Sequence, residues 1–300
     1  MSRTKHQGMT RRDFIKGSTS AALAGALYLG TPVSLFSNET PRTRVVLVRD
    51  PAALDRLNRP NKAVLGRMLD QAVTTLTDIP EPTAAWRTLI SPEDVVGIKT
   101  NVWTYLRTPL VLEELLQERV EGAGVGRRKI SINDRGILSD RTFRDATALI
   151  NVRPLHTHYW SGVGSLVKNY ITFVPEPSVY HPDTCADLGA IWNQPHVQGR
   201  TRLNILVVLT PLFHGSGPHH FNPRYTWAYY GLLVGTDPVA VDATGVRLLQ
   251  AKRKEYFGEE RPLNPPPKHV FLADSRHHVG TADPANIELL KLGWQEDVLI

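Results

Sequence analysis

Cysteine is almost missing from this chain of 300 residues, which contains only Cys185. A single thiol cannot form an internal disulfide, and it cannot hold an iron–sulfur cluster or a cysteine-ligated zinc ion. The sequence also has no G-x-S-x-G nucleophile elbow and no H-E-x-x-H zinc motif. We therefore expect no iron–sulfur cluster in this chain and no hydrolase of these standard types.

Blocks of like charge and long apolar runs are missing as well. The formal net charge is +6, but residues 1–36 hold five basic side chains against one acidic, which leaves about +2 for the rest. Those remaining charges are interspersed and form no basic stripe, so we expect no nucleic-acid partner. The apolar stretch from Ala21 to Leu29 is far shorter than the roughly 20 residues of a spanning helix, so we expect no stable membrane span after processing.

The N-terminal segment MTRRDFIKGSTSAALAGALYLG has the pattern of an export signal. Arg11 and Arg12 precede a polar residue, then Phe14, Ile15 and a short stretch of small apolar residues, which is typical of twin-arginine signals. The alternative is an ordinary basic N-terminus before a core helix. We predict that residues 1–36 are a signal region read by the twin-arginine export machinery, and that the folded protein is periplasmic or extracellular.

Apolar patterns along the rest of the chain predict strands that alternate with helices. This alternation is typical of an α/β fold with a mostly parallel sheet flanked by helices. We expect a single α/β domain over residues 43–300, with a Pro-rich loop or small subdomain in the middle, at 170–202. The predicted strands are 43–50, 94–101, 128–136, 149–152, 203–210, 229–236 and 268–274, and the predicted helices are 61–78, 110–122, 142–149 and 237–256.

Polar residues follow several of the predicted strands. Lys99 and Asn101 close the second strand, Asp134 follows the third, and His156 lies beyond the fourth. In open α/β sheets, ligands bind outside the carboxyl ends of the strands. The recurrence therefore predicts a polar site at this edge of the sheet.

His156 and His158 are two residues apart, so on a strand both side chains face the same side. Two imidazoles in that arrangement can bind one divalent transition metal. The alternative is that these histidines satisfy backbone carbonyls or lie in solvent. We predict a metal-ligand role for the pair.

Lys99 and Lys168 are the lysines of interest near this edge. Burial at a strand end lowers the pKa of a lysine, which can then act as a base or nucleophile, or anchor an anionic group. The alternative is a solvated or salt-bridged lysine. We assign catalytic roles to Lys168 and Asp134, and ligand binding to Lys99, Asn101, Asn169, Gly215 and Gly217, since glycines let backbone approach a ligand.

Four segments follow one another along the chain: VVGIKTN (95–101), RPLHTHYWSGVGSLVKN (153–169), GSGP (215–218) and GLLVGTDPVAVDATG (231–245). In this order they resemble the family catalogued as domain of unknown function 362, over roughly residues 43–290. The resemblance implies the α/β fold and a likely site, and little chemistry. His156 stands where the family usually has lysine, which replaces a fixed positive charge by a titratable ligand.

The leading functional hypothesis is an exported, metal-assisted enzyme that acts on a small anionic or hydroxylated molecule. In it, His156 and His158 hold the metal, Lys168 binds or polarises the substrate, and Asp134 orients a histidine or acts as a base. One alternative is a periplasmic ligand-binding or assembly protein with the same pocket. Another is a redox accessory to a separate iron–sulfur partner.

Overall fold

The computed structural model describes residues 42–215, 217 and 220–300, so the predicted signal region lies outside the described residues. Within them, eight strands join one sheet in the order β3-β2-β4-β6-β7-β1-β8, with β5 paired to β4. The strands are β1 (Thr43–Arg49), β2 (Val96–Lys99), β3 (Ile130–Asn133), β4 (Ala148–His158), β5 (Gly162–Gly164), β6 (Thr201–Leu212), β7 (Gly231–Gly235) and β8 (Ile287–Gly293).

The sheet is mostly parallel, as the sequence predicted. Strand β2 pairs in parallel with β3 and β4, β4 pairs in parallel with β6, and β1 pairs in parallel with β8. Strand β7 runs antiparallel to its neighbours β6 and β1, and β5 runs antiparallel to the end of β4. The carboxyl ends of β2, β3, β4 and β6 therefore lie at one edge of the sheet.

Helices cover both faces of the sheet, which confirms the predicted α/β class. Successive strand side chains point to opposite faces, so Val46 packs in one buried cluster and Leu47 in the other. Helices α1 (Lys62–Thr77), α2 (Pro82–Leu89) and α3 (Leu110–Gly122) contribute to the first cluster. The second contains residues of α4 (Arg141–Asp145), α5 (Leu166–Asn169), α6 (Pro182–Cys185), α7 (Gly189–Trp192), α8 (Pro238–Phe257) and α9 (Lys268–Ser275).

The Pro-rich middle of the chain is a series of short helical turns. Two 3-10 turns, Tyr170–Phe173 and Pro177–Tyr180, are followed by the short helices α6 and α7. Phe173 and Trp192 are buried in the cluster that also contains α8. This segment therefore shares the main core. No helix in the described part of the chain is long and apolar enough to span a membrane.

The prediction of a last strand at 268–274 is wrong, because that segment forms α9. A short apolar run such as KHVFLAD fits a strand or a buried helical turn equally well. The strand that completes the sheet is β8, which pairs with β1. The helix predicted at 142–149 ends at Asp145, and β4 begins at Ala148 and continues to His158.

Candidate functional site

The carboxyl ends of β2 and β3 bring Lys99 and Asp134 together. The Lys99 Nζ lies 2.5 Å from Asp134 Oδ1, and it also donates to the carbonyl of Thr100 at 2.8 Å. Burial lowers the pKa of Lys99 to about 8, although Asp134 opposes that change. Burial acts to raise the pKa of Asp134, but the Lys99 ammonium and the Val102 N–H hold it below its usual value. The pair is therefore ionised at neutral pH.

A chain of buried amides fixes Asn169 behind this ion pair. Asn169 Nδ2 donates to Asn151 Oδ1 at 2.8 Å, and Asn151 Nδ2 donates to Asn204 Oδ1 at 3.2 Å. The Asn169 Oδ1 accepts from Lys99 Nζ at 3.4 Å. Buried polar groups that are fully paired in this way define a single side-chain arrangement. Asn169 therefore helps to position Lys99.

Asp242 on α8 fixes the start of α5. Its carboxylate accepts from Ser165 Oγ at 2.7 Å and from the backbone N–H groups of Leu166 and Val167 at 2.8 Å each. Burial raises the pKa of Asp242 to about 6, and these three donors act against that rise. The contact holds the short helix whose last residues are Lys168 and Asn169.

These elements surround a cavity of about 260 Å³, which we call the polar cavity. Five of the residues predicted from the sequence line it, whereas Lys99 is fully buried and contacts the lining residue Asp134. Trp160 and His181 also line it, with ring centroids 4.0 Å apart. The predicted lining residues are Asn101, Asp134, His158, Lys168 and Asn169, and Arg135 and Arg153 line the cavity as well.

The polar cavity contains more positive than negative charge. Arg153 is 7% exposed, and burial lowers its pKa to about 10. Its terminal nitrogen contacts His156 Nε2 at 3.2 Å, while its Nε has no hydrogen-bond partner among the described residues. Lys168 is 4% exposed, contacts Cys185 Sγ at 3.8 Å, and has its pKa lowered to about 8 by burial. Neither cation forms an ion pair with a carboxylate in the described part of the chain.

His156 and His158 are held as neutral imidazoles. The carbonyl of Thr157 accepts from His156 Nδ1 at 2.8 Å, which leaves Nε2 to accept from Arg153. His158 Nδ1 accepts from the backbone N–H of Trp160 at 3.1 Å, so its Nε2 carries the proton. Burial lowers the pKa of both rings, for His156 to about 3.

The metal role predicted for the two histidines stays a prediction. Their ring centroids are 6.2 Å apart, and both ring nitrogens of His156 already have protein partners. Among the residues that the structure describes, no three His, Cys, Asp or Glu side chains could jointly hold a metal ion. The nearby charges of Arg153 and Lys168 also disfavour a cation.

Gly215 and Gly217 lie outside the lining of the polar cavity. Both have left-handed backbone, with φ of 101° and 63°. A Cβ at Gly217 would overlap the carbonyl oxygen of Thr157. The glycine therefore lets this loop approach the end of β4 closely.

Sequence reasoning missed four buried polar residues of the site. Arg153 and Asn151 share one face of β4, and the period of two along a strand could have revealed them. Asp242 lies inside the family-like segment 231–245. His269 gave no signal: it is fully buried on α9, neither ring nitrogen has a hydrogen-bond partner among the described residues, and burial lowers its pKa to about 3.

The fold and the site define an α/β protein with a buried, positively charged cavity at the carboxyl edge of a mostly parallel sheet. The family model described as Domain of unknown function (DUF362) matches residues 113–247. This range includes Asp134, Arg153 and Lys168, whereas Lys99 precedes it. The match supports the family resemblance that the sequence motifs indicated. No curated protein and no solved structure matches the chain.

Proposed function

We propose that the polar cavity binds a small anionic molecule. The observation that carries the proposal is that Arg153 and Lys168 line one cavity, both more than nine-tenths buried, without a carboxylate partner among the described residues. Removing an ionised group from water costs several kcal/mol unless a counter-charge offsets it. Among the described residues, Asp134 is the only carboxylate in the lining, and it is already paired with Lys99. Asp134 and Asp242 act on Arg153 without forming an ion pair with it, so an anion in the cavity would supply the missing direct counter-charge.

The cavity favours a compact organic acid or oxyanion. Its volume of about 260 Å³ lies slightly below the usual range of drug-sized ligand pockets. The Arg153 guanidinium and the Lys168 ammonium are the donors proposed for an anionic group, because N–H donors on charged groups form the strongest hydrogen bonds to oxyanions. Trp160 and His181, whose rings are tilted by 42° to each other, line the part of the cavity that would contact the remainder of the molecule.

An enzyme is the second candidate, and the pKa of Lys168 near 8 favours it. An amine with that pKa is partly neutral at neutral pH, so it could accept a proton from the bound molecule or attack a carbonyl. The two carboxylate oxygens of Asp134 already accept from Lys99 Nζ and from the Val102 N–H. In this proposal Asp134 therefore holds Lys99 and the loop after β2 in place and does not act as the base. If the protein does not convert the bound molecule, the same cavity would be the binding site of a ligand-binding protein.

Calorimetry with protein purified without a histidine tag tests the proposal. We expect at least one of phosphate, acetate and succinate to bind, and Lys168→Gln and Arg153→Gln each to weaken that binding at least tenfold. Lys254→Gln, an exposed lysine paired with Glu260, is the matched control and should bind normally. Unchanged affinity in both cavity variants, with native unfolding curves, would refute the proposal.

The metal hypothesis has a separate test. Metal analysis of the same untagged protein and of His156→Ala with His158→Ala asks whether these residues hold an ion. Stoichiometric metal that the double variant loses would support metal-assisted chemistry at the cavity. Anion binding that persists in a chelator would support the polar cavity without a metal.

We also propose that the protein is exported folded by the twin-arginine route, on the motif around Arg11 and Arg12. The test is fractionation of cells that express the full chain and the variant Arg11→Lys with Arg12→Lys. The unchanged chain should reach the periplasm, and the variant should stay in the cytoplasm. Equal distribution of both proteins would contradict the proposal.

A further inference from the structure

A second cavity, of about 390 Å³, lies at the same edge of the sheet, and we call it the apolar cavity. It is lined by the end of β6, the first turn of α3, and loops that follow β1 and β2. Its wall is mostly apolar, which is the usual character of small-molecule sites. The apolar lining residues are Leu54, Pro60, Tyr105, Leu106, Pro109, Leu110, Val111, Pro154, Val207 and Leu209.

Strand β4 separates the two cavities. Arg153 lines the polar cavity, and its neighbour Pro154 lines the apolar cavity, because consecutive strand residues point to opposite faces. The loop after β2 contributes Asn101 to the polar cavity and Arg107 to the apolar cavity. Two hydrogen bonds between Asn101 and Thr108, of 2.8 and 3.0 Å, close the base of this loop. The two cavities are therefore separate, although β4 and the loop after β2 contribute residues to both.

Two features of the apolar cavity point to a ligand. Tyr105 and Leu110 are 57% and 54% exposed, so large apolar side chains of the lining remain in water. Among the residues that the structure describes, Arg107 is the only charged one in the lining, and its closest carboxylate contact is Glu113 Oε1 at 3.9 Å. At this distance the two side chains share no hydrogen bond. The cavity thus combines uncovered apolar surface with one cation that has no hydrogen-bonded carboxylate partner in the described part of the chain.

We infer that the apolar cavity is a second binding site, for a small molecule with an apolar body and one anionic end. The body would cover the exposed apolar side chains, and the anionic end would pair with Arg107. The first turn of α3 presents backbone N–H groups without a side-chain cap at the same wall, although Glu113 in that turn offsets part of their positive potential. Burial of the apolar body supplies most of the binding free energy, and Arg107 supplies the preference for an acid.

Octanoate and its neutral analogue 1-octanol are the probes, with binding measured by calorimetry. We expect Arg107→Gln to weaken octanoate binding about tenfold and to leave 1-octanol binding unchanged. Leu110→Asp should weaken both and still fold, because an acidic residue at the first position of a helix is favourable. Arg127→Gln, an exposed arginine outside the cavity, is the matched control.

Variants of the polar cavity separate this inference from the proposed function. Lys168→Gln should bind octanoate as the unchanged protein does. Loss of octanoate binding in Lys168→Gln would place the acid in the polar cavity and overturn the inference. Failure of octanoate to bind at millimolar concentration, or equal octanoate affinity in Arg107→Gln, would also overturn it.

Discussion

Lys168 is the side chain on which the polar cavity depends most. Its ammonium is desolvated, and its one polar contact among the described residues is the thiol of Cys185. We predict that Lys168→Met stabilises the ligand-free protein by about 1–3 kcal/mol, because a buried charge is replaced by an apolar chain of similar length. Urea unfolding at pH 7 measures the free energy of unfolding.

The same variant separates a functional lysine from a structural one. Lys168→Met should gain at least about 1.4 kcal/mol less from an anion that stabilises the unchanged protein, because binding that is tenfold weaker lowers the stabilisation by that amount at excess ligand. Lys254→Met, at an exposed site, should unfold within about 0.5 kcal/mol of the unchanged protein. Strong destabilisation by Lys168→Met would show that the ammonium supports the fold.

Asp134, unlike Lys168, is a residue whose charge stabilises the folded protein. We predict that Asp134→Asn destabilises the protein by about 3–5 kcal/mol, because it leaves the buried Lys99 ammonium without its counter-charge. Asp145→Asn breaks the exposed pair with Arg141 and should cost less than about 1 kcal/mol. Similar losses in the two variants, again by urea unfolding, would contradict the importance of the buried pair.

At the scale of elements, α8 positions α5 through one carboxylate. We predict that Asp242→Ala lowers both stability, by about 2–4 kcal/mol, and anion affinity, although Asp242 lies outside the cavity lining. Three donors lose their acceptor, and the helix that ends in Lys168 and Asn169 loses its anchor.

Asp237, the N-cap residue of the same helix, is the matched control for Asp242. It accepts from the N–H groups of Val239, Ala240 and Thr281 and forms no hydrogen bond with α5 among the described residues. Asp237→Ala should therefore lower stability and leave the affinity of folded protein for the anion unchanged. Equal loss of affinity in both variants would mean that general destabilisation, and not the position of α5, controls binding.

Local patterns are sufficient to predict the elements that carry a clear local signal. An apolar run predicts the strand at 94–101, and Pro238 in the first turn predicts the start of the helix at 237–256; the structure has β2 at Val96–Lys99 and α8 at Pro238–Phe257. The pattern failed at α9 and β8, where the choice between strand and helix depends on distant partners. Strand β8 exists because β1 offers it an edge to pair with, and no local signal encodes that edge.

At the scale of the whole molecule, the parallel sheet explains why part of the site was predictable. Lys99 and Asp134 follow adjacent parallel strands, so the rule for strand ends was enough to place them together. To predict that Arg153 belongs to the site, the alternation of side chains along β4 would have to be extended past residue 152, where the predicted strand ends. His269 could not be predicted, because its burial depends on how α9 packs against other elements.

The buried histidines make the stability of the whole molecule depend on pH. His156, His158 and His269 stay neutral when folded because burial lowers each pKa, for His156 and His269 to about 3. In the unfolded chain each protonates below about pH 6.5. The unfolded state then binds more protons, so stability must fall as the pH drops below 6.5.

We predict a loss of about 3 kcal/mol per pH unit between pH 5.5 and 4.5. Each histidine contributes about 1.4 kcal/mol per unit, and Asp242, whose pKa is raised to about 6, offsets one of the three by gaining a proton in the folded state. Urea unfolding at half-unit steps from pH 8 to 4.5 measures the slope. His269→Asn should reduce the slope by about 1.4 kcal/mol per unit, whereas a curve that is merely displaced in parallel would show that His269 changes packing alone.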